Sequence, residues 1–130
     1  MESNDQNRSL GEHIRQARVA RGLALRELAR QVRRSPSYVS DIEYDRRVPS
    51  EGVLREICEV LDLDFDLMLA STGRLGADAE RYLKREPSAG LLFRRVSQER
   101  LREDELRQLI VSAEDLAKKR RSPPATQETP

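Results

Sequence analysis

Between residues 10 and 69 the apolar side chains recur at helical spacing, and the run is cut at four short punctuation points: Gly22, Ser35-Pro36, Val48-Pro49-Ser50 and Asp64. Nowhere is there the period-two alternation that a half-buried strand requires. This segment can therefore fold only as short helices with tight connections. The first is predicted from about Leu10 to Arg21, with Leu10, Ile14, Ala17 and Arg18 on one face and Gly22 as a left-handed terminator. A second, about Leu25 to Val32, turns Leu25, Leu28, Ala29 and Val32 inward. Ser35 caps a third that has Pro36 in its first turn, where proline's missing N–H is harmless, and that runs to about Tyr44 with Val39 and Ile42 inward. Ser50 caps a fourth, with the face Leu54, Ile57, Cys58 and Leu61, and Asp64 caps a short fifth that uses Leu67 and Met68.

Beyond residue 72 the pattern changes. Gly73 to Gly76 reads as a hinge. Further helices are expected at Asp78–Lys84, from Pro87 through Leu91, Leu92 and Val96, and from about Arg102 to Lys119. The last carries Leu106, Leu109, Ile110, Ala113, Leu116 and Ala117 on a single stripe. An appendage this small cannot enclose such a stripe, so self-association through Leu106, Leu109, Ile110, Ala113 and Leu116 is expected in preference to packing back on the first five helices. The expected organisation is a disordered start over 1–8, a helical domain over 9–72, a helical oligomerisation region over 77–119, and a disordered Pro- and Thr-rich tail over 120–130.

Composition narrows the chemistry. The chain has 130 residues, 36% of them charged and only 4% aromatic, enough for one small aliphatic core. No apolar run approaches the ~20 residues that span a bilayer, and the polar first ten residues lack a secretory pattern, so a cytosolic protein with no membrane association is expected. One cysteine (Cys58) and one histidine (His13) leave no disulfide framework and no ordinary Cys/His zinc site. His13 has no nucleophile motif near it and reads as a solvated surface residue. No catalytic residue, metal or cofactor is expected. The formal charge is only +1, but it is segregated: residues 8–50 carry +5, residues 51–72 carry −5 and residues 73–130 carry +3. Arginine supplies 21 of the 24 bases. A basic block beside an acidic one suits a protein that turns one face to a polyanion.

The markers Gly22-Leu23, Glu27-Leu28-Ala29, Ser35, Ser37-Tyr38-Val39-Ser40, Ile42-Glu43, Arg46-Arg47 and Pro49-Ser50 stand together in register over residues 10–69. In this the segment resembles the helix-turn-helix domain of the XRE/Cro, lambda-repressor-like family. The resemblance implies an all-α, five-helix DNA-binding domain followed here by a small helical dimerisation region. It also implies a sequence-specific regulator of transcription on double-stranded DNA, a homodimeric repressor on a pseudo-palindromic operator. Two helices joined by a short turn let the second enter a major groove about 12 Å wide. With Val39 and Ile42 committed inward, Pro36, Ser37, Ser40 and Asp41 point away from the core, at positions that match the family's base readers. Asp41 has three readings: an acceptor for cytosine N4, a solvated helix charge, or an orienter of a neighbouring arginine. Phosphate contacts are expected from Arg46 and Arg47 after the third helix, Arg33 and Arg34 in the turn, Arg26 near the start of the second helix, and Tyr38 and Tyr44. Arg18 and Glu43 are expected to pair, as the matching family positions do.

Three positions depart from the family pattern. The turn carries Arg33-Arg34 where glycine and a small apolar residue are usual, so Arg33 is expected under strain at positive φ. Leu25 replaces a phosphate-contacting glutamine, and Tyr44-Asp45 replaces a glycine. The region after Leu69 is similar to the tail of an XRE subgroup that often accompanies a regulatory metallopeptidase, which makes such a peptidase a candidate partner. From another functional class, the alternative is a protein-interaction adaptor or antitoxin whose C-terminal helices bind a partner protein.

Overall fold

The computed structural model of the chain describes residues 8–122. Every regular element among them is an α-helix: α1 (Leu10–Ala20), α2 (Leu25–Gln31), α3 (Pro36–Glu43), α4 (Glu51–Leu61), α5 (Phe65–Ala70), α6 (Ala77–Arg85), α7 (Pro87–Gln98) and α8 (Glu103–Arg121). The chain divides into two compact units, Met1–Arg81 and Tyr82–Pro130. The expected disordered start at 1–7 and tail beyond 122 lie outside the described residues. Arg120 and Arg121, expected in that tail, instead complete the last turn of α8, since a run of bases is favoured at a helix C-terminus.

In the first unit the helix starts are fixed by short polar side chains that take up an orphan N–H. Ser9 accepts from Glu12 (3.2 Å), Ser35 from Tyr38 (3.1 Å), Ser50 from Val53 (3.3 Å) and Asp64 from Leu67 (3.1 Å). Gly22 closes α1 at φ +68°, with the N–H of Leu23 returning to the Arg18 carbonyl. The helices α2 and α3 pack on each other, α1 lies against both α3 and α4, and α5 folds onto α4. Their shared core is aliphatic: Leu10, Ile14, Leu28, Ala29, Val32, Val39, Ile42, Val53, Leu54, Ile57, Cys58, Leu61, Met68 and Leu69. Ala17 and Leu25 are partly buried against it.

Two expectations, on Leu67 and on the 73–76 segment, fail here for local reasons. Leu67 is 65% exposed, and Leu69 is buried in its place; the Asp64 cap sets the rotation of α5 so that Phe65, Met68 and Leu69 share the inner face. His13 is half-buried, one turn after Leu10 on the flank of the buried stripe. The segment expected as a hinge is fastened to the first unit. Arg74 donates to the Pro49 carbonyl (2.8 Å) and to Thr72 (3.0 Å), and the Ala77 N–H donates to Glu51 (3.0 Å). The division between units consequently falls inside α6, after Arg81.

The second unit is of another kind. Neither α7 nor α8 has a buried residue, and Leu91, Leu92, Phe93, Ile110, Val111 and Leu116 are all exposed.

Candidate nucleic-acid interface

Helix α3 is held from beneath. At Gly11 the first turn of α1 touches the end of α3 so closely that a Cβ there would lie 2.4 Å from the Glu43 carbonyl oxygen and 2.5 Å from that of Ile42. The Gly11 N–H donates to the Asp45 carboxylate at 3.0 Å, and Asp45 itself turns the chain at φ +59°. Beside this contact Arg18 grips the buried Glu43 with two bonds, Nε to Oε2 at 2.6 Å and an Nη to Oε1 at 3.0 Å. Its remaining Nη donates to the Leu23 carbonyl at 2.8 Å. The carboxylate holds the guanidinium pKa above its ordinary value. One arginine thus joins α1, the Gly22-Leu23 turn and the C-terminal end of α3. Because Glu43 is only 2% exposed, removing Arg18 would leave an uncompensated buried charge.

Above this platform α3 presents its polar side. Pro36 and Ser37 are exposed at the N-terminal end, and Ser40 and Asp41 are half-buried one turn on. Arg33 and Arg34 occupy the turn before the helix, with Arg33 at φ +58° as expected of a residue in a glycine position. Arg46 and Arg47 follow the helix, both exposed, and their N–H groups converge on the Asp41 carbonyl at 2.8 and 3.2 Å. Arg26 is exposed near the start of α2.

The tyrosines organise these bases. Arg34 and Arg47 stand over the Tyr38 ring, 5.6 and 4.6 Å from its centroid, while Arg15 and Arg46 stand over Tyr44 at 5.2 and 5.3 Å. Asp41 also bonds Arg46, Oδ1 to Nε at 3.0 Å. The candidates Arg34, Tyr38, Asp41, Tyr44, Arg46 and Arg47 therefore gather around the two ends of α3, with Arg33 in the adjoining turn. Arg15 was missed from sequence. The available signal was its place one turn before Arg18, the residue that reaches the end of α3. Asp45 was missed as well, because its partner Gly11 is 34 residues away.

The surface can offer stacked guanidinium groups to anions and short hydroxyls to base edges. Among the described residues there is no cluster of His, Cys, Asp and Glu suited to a metal ion, and no helix is long and apolar enough to cross a membrane.

Residues 9–70 match a family described as a helix-turn-helix domain. The transcriptional regulator ClgR of Mycobacterium tuberculosis is 35% identical over 79 residues, 61% of this chain and 70% of that protein. Among solved structures, the biofilm master regulator SinR in complex with DNA is 34% identical, covering 46% of this chain and 97% of that one, with a TM-score of 0.43. The clp gene regulator ClgR from Corynebacterium glutamicum is 28% identical, covering 69% of this chain and 88% of the other, with a TM-score of 0.44.

Proposed function

The chain belongs to the XRE/Cro, lambda-repressor-like family of helix-turn-helix transcriptional regulators, and on that premise we propose that it is a homodimeric repressor of a pseudo-palindromic operator. The observation that carries the reading is the exposed face of α3, ringed by Arg33, Arg34, Arg46 and Arg47. Such a helix enters a major groove with its N-terminal residues toward the base edges. Pro36, Ser37 and Ser40 then meet bases, with Asp41 beside them. Pro36 offers only apolar contact, as to a thymine methyl, and the serines donate or accept. Arg26, Arg33, Arg34, Tyr38, Tyr44, Arg46 and Arg47 contact the backbone and supply most of the affinity. Two copies set their α3 helices about 34 Å apart, one turn of duplex.

Dimerisation is assigned to α8. Leu106, Leu109, Ile110, Ala113 and Leu116 form one stripe, and no residue of that helix is buried. A second copy covering it adds avidity to a domain that binds weakly alone. The protein acts in the bacterial cytoplasm, on the nucleoid when bound, and is not an enzyme. The same exposed stripe supports a second reading, in which α8 docks a partner protein such as a regulatory metallopeptidase or a toxin.

Selection of bound duplexes from a random pool, with the mass of each complex measured, tests the proposal. The expected result is an inverted repeat bound by two chains, whose affinity falls steeply with salt. The double substitution Arg46→Ala and Arg47→Ala should weaken binding to every sequence and flatten the salt slope by about 0.9 for each phosphate lost. No enriched sequence, or an unchanged slope, would refute the assignment.

A further inference from the structure

Asp41 is the hub of the loop that leaves α3. Its carbonyl receives the N–H groups of Arg46 and Arg47, and its carboxylate takes the Arg46 Nε at 3.0 Å. From a second direction the Tyr44 ring lies against the same Arg46 guanidinium. Arg15, brought in by α1, shares that ring. Between Tyr44 and Arg46 in sequence, Asp45 accepts the Gly11 N–H at 3.0 Å and ties this loop to α1. A guanidinium held at Nε and packed along a ring still offers its Nη edge, which is the planar fork that binds an oxyanion in bidentate fashion. Facing a polyanion, an isolated carboxylate is repelled, whereas one spent on an arginine is neutralised.

We infer that Arg15, Asp41, Tyr44 and Arg46 form one binding unit for a backbone phosphate of DNA, in which Asp41 is a positioning residue that aims Arg46 and does not read a cytosine. This inference rests on the DNA-binding reading above. It adds Arg15 to the interface and removes Asp41 from the set that determines base preference. Side-chain immobilisation before binding is the source of the gain, since an ordered arginine no longer loses its rotamer freedom on contact.

The test uses the full chain on its selected operator and on an unrelated duplex over a range of salt. Asp41→Ala should weaken binding to both by a similar factor, about threefold to tenfold. Deleting a negative charge near DNA would by simple electrostatics do the reverse, so the sign of the effect discriminates. Asp41→Ala added to Arg46→Ala should cause no further loss, and duplexes selected by Asp41→Ala should show the wild-type base preference. Arg15→Ala should lower the salt slope by about 0.9. Tyr44→Leu should weaken binding to both duplexes, because it removes the ring over which Arg15 and Arg46 stand. Tighter or unchanged binding by Asp41→Ala, or a loss confined to one base position, overturns the inference while leaving the DNA-binding reading intact. Absence of salt-dependent DNA affinity in the wild type would overturn both.

Discussion

The two units of this chain are both helical, yet they satisfy the hydrophobic effect in opposite ways. In the first, α1 to α5 surround a continuous aliphatic core, and Ile14, Leu28, Val39, Leu54 and Ile57 have no accessible surface. In the second, α7 and α8 carry comparable leucines, a phenylalanine and an isoleucine, none of them buried. Apolar content therefore does not separate the two. What differs is the punctuation. Tight turns in the first unit fold successive helices back on one another, while α8 runs for 19 residues with its stripe along one side. The first unit buries its apolar side chains within a single chain, whereas the second leaves them unburied.

The largest expected effect sets these regions directly against each other. Leu54→Ala should lower unfolding stability by about 2–5 kcal/mol, seen as an earlier denaturant midpoint. Leu116→Ala, at a position 68% exposed, should change the stability of dilute protein by less than about 0.5 kcal/mol. Its effect should appear in sedimentation, as a shift toward monomer. Equal losses of monomer stability at the two sites would erase the distinction.

Thiol chemistry sharpens the same contrast. Burial pushes the Cys58 pKa up to about 11. The unfolded thiol ionises lower, near its usual value, so this contribution to stability is intact below about pH 8.5 and is lost as the pH rises toward 11. Unfolding at pH 8 and pH 10 should differ by about 2 kcal/mol, and a Cys58→Ser variant should lose that difference. Alkylation should be slow at Cys58 in the folded chain and, in protein dilute enough to be monomeric, fast at a thiol introduced as Leu116→Cys. The smallest effect is local. Arg33 at φ +58° stores backbone strain that glycine would relieve, so Arg33→Gly should raise stability by about 0.5–1 kcal/mol while weakening DNA binding.

Much of the first unit was legible because its signals are local. Ser35 with Pro36, Ser50 and Asp64 mark helix starts through side chains that reach only three residues ahead, and Gly22 marks an end in the same way. The Arg18–Glu43 pair was legible for another reason: a charge on an apolar stripe needs a partner. Interactions spanning the fold were hidden. Asp45 receiving the Gly11 N–H, Arg15 sharing the Tyr44 ring, and Arg74 reaching Pro49 depend on how α1 and α4 come to lie, which no short window of sequence contains. The glycines at 73 and 76 signal freedom in the sequence, although Arg74 and Ala77 tie that stretch down. Leu67 faced the wrong way in the sequence reading because a helix of six residues is too brief for periodicity to fix its rotation.

The absent methyl at Gly11 makes the two sides of α3 unequal in what they tolerate. With carbonyl oxygens of α3 where a Cβ would sit, any side chain at position 11 must push the end of that helix aside, whereas the exposed Ser37 can be exchanged without disturbing the packing beneath. On the proposed DNA-reading role, a preference could then be retuned from the outer side alone, with the support of the helix left as it is.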